Sequence, residues 1–141
     1  MSQFNEVVFC GFGEPTEAWD TLMHVAHYVK ETFGLPTRVN TNGLGSLICE
    51  RDIAPEFEGI IDTVSISLNA PDAKTYQKIV RSSFGDKSFD AVMDFAREVK
   101  CYAPNVVMTT VETTISHEDE ERCRAICEKL GVRYRIRAWA G

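Results

Sequence analysis

Residues 7–16, Val7-Val8-Phe9-Cys10-Gly11-Phe12-Gly13-Glu14-Pro15-Thr16, read VVFCGFGEPT: an apolar run that breaks into two glycines, a carboxylate, a proline and a threonine. Backbone freedom and a charge directly behind a buried strand mean one of two things. Either the stretch is a strand-to-helix turn with incidental residues, or the loop grips a ligand. The residues on either side decide the fold around it. The apolar run predicts a strand over 6–10. Residues 17–33 place Ala18, Leu22, Val25, Ala26, Val29 and Phe33 on one helical face, and Gly34 is a stop signal.

The alternation continues along the chain. Residues 37–41 read as a second strand, closed by Asn42-Gly43. Over 44–57, apolar Leu44, Leu47 and Ile48 predict a short helix that Pro55 should end. Residues 62–68, DTVSISL, alternate cleanly as a third strand. A short helix over 72–80 and a polar stretch over 82–87 precede a helix with Ser88 as its expected N-cap. Its apolar stripe is Phe89, Val92, Met93, Ala96 and Val99. Residues 105–112 form the fourth predicted strand. Ser116-His117-Glu118-Asp119 opens the last long helix with acids in its first turn, as the helix dipole prefers, and Gly131 ends it before a fifth strand over 132–137. Repeats, linkers and low-complexity segments are absent from the sequence.

Strands alternating with helical crossovers imply an α/β fold, a parallel sheet with helices packed outside it. Right-handed crossovers leave two architectures open, a doubly wound sheet or part of a (β/α) barrel. In both, ligands collect at the C-terminal ends of the strands.

Composition narrows the function. The 141 residues suffice for one domain with a real core, and 44% hydrophobic with 26% charged residues is the balance of a soluble globular protein. No apolar stretch has the length of a membrane span, and MSQFNEVVF lacks the basic start of a signal peptide, so a cytoplasmic location is expected. A net charge of −6 argues against nucleic acid as a partner. The one basic cluster, Arg133, Arg135 and Arg137, alternates onto one face of the last strand, where it is either a solvated face or an anion contact. Five irregularly spaced cysteines do not form a secreted disulfide framework. Cys123 and Cys127 share a helical stripe with Ile126 and Leu130, and alone they are too few for a structural metal.

The strand ends carry the functional signal. They offer Gly11, Gly13 and Glu14; then Asn40, Thr41, Asn42 and Gly43; then Ser65, Ser67 and Asn69; then Glu112; then Arg135 and Arg137. Amides and hydroxyls suit ribose, and a carboxylate with free carbonyls suits an ammonium group. Each element has a plain structural reading as well: Asn-Gly is a turn, serines fit half-buried strands, and Pro15-Thr16 suits a helix start.

GFGEPT resembles the Gly-Gly-Glu motif of radical S-adenosylmethionine (SAM) enzymes, with Phe12 between the glycines and Glu14 in the acid position. NTNG at Asn40–Gly43 and SISLNAPD at Ser65–Asp72 fall on the next two strands, where that superfamily places ribose-binding segments. Within the superfamily, the sequence resembles the radical SAM group associated with TatD-type nucleases. The resemblance implies a parallel sheet of about five strands with outer helices, part of a six-stranded partial TIM-type barrel. It implies S-adenosylmethionine as cofactor. Gly13 and Glu14 would receive its methionyl amino group and Asn40 would face the ribose. Asn42 belongs to the same implied set. Ser65, Ser67 and Asn69 would approach the ribose or the methionyl carboxylate, and Glu112, with Val111, the adenine.

One departure from the family is large. The C-x-x-x-C-x-x-C segment that ligates its [4Fe–4S] cluster does not occur in these residues; Cys123 and Cys127 have the first spacing, but Leu130 stands at the third position. The expectation is therefore a single domain over 1–141, equivalent to the second to sixth βα units, with no metal ligands and no catalytic residue of its own. The full-length parent would cleave S-adenosylmethionine reductively to a 5′-deoxyadenosyl radical, using an iron–sulfur cluster that this chain does not ligate. The alternative is a nucleoside- or phosphate-binding α/β protein without radical chemistry. An apolar first strand at the sheet edge also predicts self-association.

Overall fold

The computed structural model describes residues 7–9, 18–49 and 51–138. Among the described residues, five strands form one parallel sheet in chain order: β1 (Val7–Phe9), β2 (Thr37–Thr41), β3 (Thr63–Ser67), β4 (Asn105–Val111) and β5 (Arg133–Arg137). Between them lie α1 (Trp19–Phe33), α2 (Gly45–Cys49), a 3-10 turn (Ala54–Phe57), α3 (Ala73–Val80), α4 (Lys87–Val99) and α5 (His117–Leu130). Crossovers of one hand between neighbouring strands put all of the helices on one face. That favours the barrel segment over the doubly wound sheet, whose strand order reverses at a switch point.

Burial follows the register. Val39, Val64, Ile66, Val106 and Met108 turn to the helices and join the core with Val92, Ala96 and Cys127. The opposite face carries Arg38, Asn40, Ser65, Ser67, Val107 and Thr109. Val107 is buried, yet it lies outside the core cluster. The sheet is therefore apolar behind and polar in front.

Four sequence expectations need correcting in detail. The α1 stripe is narrower than its periodicity suggests: Trp19, Leu22 and Ala26 are buried, whereas Val25 is 41% and Phe33 63% exposed. Trp19 instead stacks on Phe57 at 4.8 Å and its Nε1 donates to Glu56 Oε1 at 3.1 Å. Arg51 holds the same Glu56 and also Asp20, and its hydrogen bonds draw the Glu56 carboxyl below its ordinary pKa. Pro55 does not end a helix; it starts the 3-10 turn, where its missing N–H needs no acceptor. Ser88 is not the N-cap of α4, which begins at Lys87, and its hydroxyl is buried without a hydrogen bond among the described residues. Finally, Phe89 and Met93 are only partly buried, while Phe95 takes the core position. Ser116 does cap α5, accepting from Asp119 N–H at 3.1 Å, and Gly131 ends it in the left-handed region.

Asp62 ties the N-terminal ends of the strands together. Its carboxylate accepts from Lys30 Nζ at 2.6 Å and from Thr37 N–H at 2.8 Å. Its own N–H donates to Thr37 O, and its carbonyl accepts from Asn105 N–H at 3.1 Å. One residue so links α1, β2, β3 and β4. Burial pushes its carboxyl up, but the Lys30 and Thr37 bonds outweigh burial and hold its pKa below the ordinary value.

An acid whose folded pKa is depressed stabilises the fold above its unfolded pKa, about 4, and loses that contribution as pH falls through the folded value. Asp62→Asn should therefore cost about 1–3 kcal/mol at neutral pH. In urea unfolding between pH 7 and pH 2.5, its curve should converge with wild type on acidification. A gap that stays constant with pH would show that the charge is not the source.

Candidate functional site

The front face of the sheet is built by two-residue alternation. Asn40 stands beside Ser65 in the β2–β3 register, and Ser67 stands beside Thr109 in the β3–β4 register. Asn40, Ser65 and Ser67 are half-buried, and Thr109 is buried. Asn40 Oδ1 accepts from Arg38 Nε at 3.3 Å. In β5, Arg133 neighbours Val107, Arg135 neighbours Thr109 and Arg137 neighbours Val111. The structure thus brings three of the sequence-predicted residues, Asn40, Ser65 and Ser67, onto one surface. Hydroxyl and amide groups, each able to donate and to accept, stand there on neighbouring strands.

Three other candidates occupy the rim beyond the strands. Asn42 Oδ1 accepts from Leu44 N–H at 2.8 Å, and Thr41 Oγ1 accepts from Gly43 N–H at 3.1 Å, so both side chains close the turn that leads into α2. A cavity of about 370 Å³ adjoins it, lined by Asn42, Leu44, Ile48 and Phe84 among others. Asn69 has φ 67° and donates its N–H to Thr109 O at 3.2 Å, which turns the chain off β3 across the top of β4. Glu112 is exposed, and its N–H donates to Arg137 O at 2.8 Å. Gly13 and Glu14 lie outside the described residues.

The helix starts at this end are fixed by charge. Asp72 Oδ1 accepts from Thr75 N–H at 2.8 Å as the cap of α3, and its carboxylate meets Arg122 at 3.1 Å. Arg122 also holds Asp119, near the start of α5. The Thr75 bonds, followed by Arg122, lower the Asp72 pKa.

The described thiols do not fit an iron–sulfur cluster. Cys49 lies in α2, Cys101 is exposed beyond α4, and Cys123 and Cys127 are buried in α5. Burial first, then the neighbouring Cys127, pushes the Cys123 thiol up to about 12; burial pushes Cys127 up to about 11. Both are protonated core groups at neutral pH, whereas a cluster needs thiolates. Among the described residues no three His, Cys, Asp or Glu side chains gather as a metal-ligand group, and no helix is long and apolar enough to cross a membrane.

Sequence reasoning missed Arg38 and Thr109. The R-V-N alternation of 38–40 and the V-M-T alternation of 107–109 would have placed both on the Asn40 face once the register was known.

The fold has close counterparts among solved structures. A radical SAM methyltransferase from Sphaerobacter thermophilus superposes with a TM-score of 0.70 at 15% identity, over 97% of this chain and 52% of that one. TYW1 with a lysine-pyruvate adduct bound gives 0.68 at 19% identity, over 97% and 42%. A domain of pyruvate-formate lyase-activating enzyme from Bacteroides vulgatus gives 0.57 at 16%, over 94% and 99%. At these identities the likeness is one of fold, and it is the fold that the sequence motifs imply. The chain spans about half the length of the first two chains. No family model matches the sequence, nor does any curated protein.

Gly43 measures how tightly the β2 turn is built. Its φ is 79°, and an added Cβ would lie 3.0 Å from Ile66 Cγ2 and 3.3 Å from Val92 Cγ1. Gly85 has φ 66° with nothing within 4 Å. Gly43→Ala should therefore destabilise by about 2–3 kcal/mol and Gly85→Ala by about 1 kcal/mol. Equal losses in thermal unfolding would refute a packing constraint at the turn.

Proposed function

We propose that this chain is the S-adenosylmethionine-binding part of a radical SAM enzyme core. The supporting observation is the front face, where Asn40, Ser65, Ser67 and Thr109 stand together on a sheet whose helices all lie behind it. In this reading Asn40 faces the ribose hydroxyls, and Ser65 and Ser67 face the ribose or the methionyl carboxylate. Gly13 and Glu14 receive the amino group, and Asn42, Asn69 and Glu112 border the site. A bound S-adenosylmethionine supplies the reactive sulfonium. Reductive cleavage to a 5′-deoxyadenosyl radical belongs to the full-length parent, because the thiols described here do not suit the [4Fe–4S] cluster. The isolated chain then binds without turning over. We place it in the superfamily on the GFGEPT, NTNG and SISLNAPD motifs together with the shared fold.

Calorimetric titration of the chain with S-adenosylmethionine and with S-adenosylhomocysteine tests the reading. Both should bind saturably, and Asn40→Ala and Ser67→Ala should each weaken binding about 2–10-fold, the loss of one hydrogen bond, with unchanged melting temperature. After anaerobic reconstitution with iron and sulfide, no stoichiometric four-iron absorption should appear. Failure to bind either nucleoside, or binding indifferent to both substitutions, would overturn the assignment. A cluster spectrum abolished by Cys123→Ser would overturn the role given to the α5 thiols.

A further inference from the structure

The arginine row of β5 is the strongest feature that the S-adenosylmethionine reading leaves unused. Arg133, Arg135 and Arg137 are all exposed and alternate onto one face of the strand. Four other arginines in this acidic chain, Arg51, Arg97, Arg122 and Arg124, each hold a carboxylate. Among the described residues, none of the three β5 arginines has an ion pair.

Strand β5 is also an edge. It pairs with β4 and, among the described residues, with nothing on its other side. Arg137 O accepts from Glu112 N–H, so the Arg137 backbone faces β4. Since backbone groups alternate in direction along a parallel ladder, the Arg133 and Arg135 backbones face β4 as well. The N–H and C=O groups of Tyr134 and Ile136 then point outward. An open line of backbone donors and acceptors thus runs beside a row of cations repeating every second residue, about 6.5–7 Å apart.

We propose that β5 receives an extended acidic peptide segment as an added strand. Backbone bonds to Tyr134 and Ile136 supply affinity, and acidic side chains at every second position meet Arg133, Arg135 and Arg137. The spacing of the two rows is the same because both are strands. Single-stranded nucleic acid has a similar anion spacing but fits less well. No aromatic side chain lies on this face in β2 through β5, so bases find no stacking platform, and the net charge of −6 opposes a long polyanion. A second copy of β5 is excluded by the same row, since pairing would set arginine against arginine.

Two peptides of one composition separate the geometry from simple charge attraction. One alternates glutamate with valine or threonine over nine residues; the other carries the same residues with the glutamates contiguous. Fluorescence anisotropy with the 141-residue chain at low salt should show the alternating peptide binding at least tenfold tighter. Arg135→Glu should remove that preference, and Arg135→Gln should reduce it, with folding verified by circular dichroism. Hydrogen exchange should slow at the Tyr134 and Ile136 amides on binding. Equal affinity for the two peptides, unchanged exchange at those amides, or tighter binding of a single-stranded oligonucleotide would each overturn the proposal. Nucleoside binding is read separately, so loss of either result leaves the other standing.

Discussion

The handedness of the strand crossovers is the constraint on which the rest depends. Parallel strands in one sheet connect through crossovers of a single hand, so the order β1-β2-β3-β4-β5 sends every helix to the same side. All the apolar demand then falls on that side, and Val39, Val64, Ile66 and Met108 satisfy it. Freed from the core, most alternate residues of the same strands are polar, Val107 and Val111 of β4 being the apolar exceptions. A doubly wound sheet of these strands would have buried both faces, and Asn40, Ser65 and Ser67 would then have needed internal partners. The polar front face follows from connection geometry before any ligand is considered.

The two ends of the sheet divide the labour. At the N-terminal end, Asp62 joins four elements through bonds to Lys30, Thr37 and Asn105. At the C-terminal end, the caps close turns locally: Asn42 onto Leu44, Asp72 onto Thr75 and Ser116 onto Asp119. Arg122 provides the longer link there, between Asp72 and Asp119. Local closure lets each loop vary independently of the sheet, which suits an end where ligands gather.

Much of this was legible in the sequence because periodicity reports burial. β2 coincides with its expected range, β3, β4 and β5 shift by a residue at one or both ends, the described part of β1 lies within its expected range, whose residues 6 and 10 are outside the described residues, and the Ser116 and Gly131 signals hold. The errors have a common cause: tertiary context decides which part of an amphipathic stripe meets the sheet. Phe33 fits the α1 period and is exposed, while Trp19 was outside the predicted stripe and is buried against Phe57. Ser88 has the chemistry of a cap, but the turn at Gly85 starts the helix two residues earlier, with Asp86 at the cap position. At the site, Asn40, Ser65 and Ser67 could be placed by alternation alone. Thr109 and Arg38 required the register between strands, which a single sequence does not state.

Among the described residues, the two outer strands of the sheet are chemically unlike. β1 ends the sheet with Val7-Val8-Phe9, and Val8 is 42% exposed. β5 ends it with three arginines in five residues. An apolar edge pairs with any compatible strand, whereas a charged edge rejects like charge and neutral apolar chains because guanidinium groups resist desolvation. The rejecting property and the selecting property come from the same side chains. A cation row that blocks indiscriminate edge pairing becomes a recognition surface once the incoming strand carries the opposite charge at the same period.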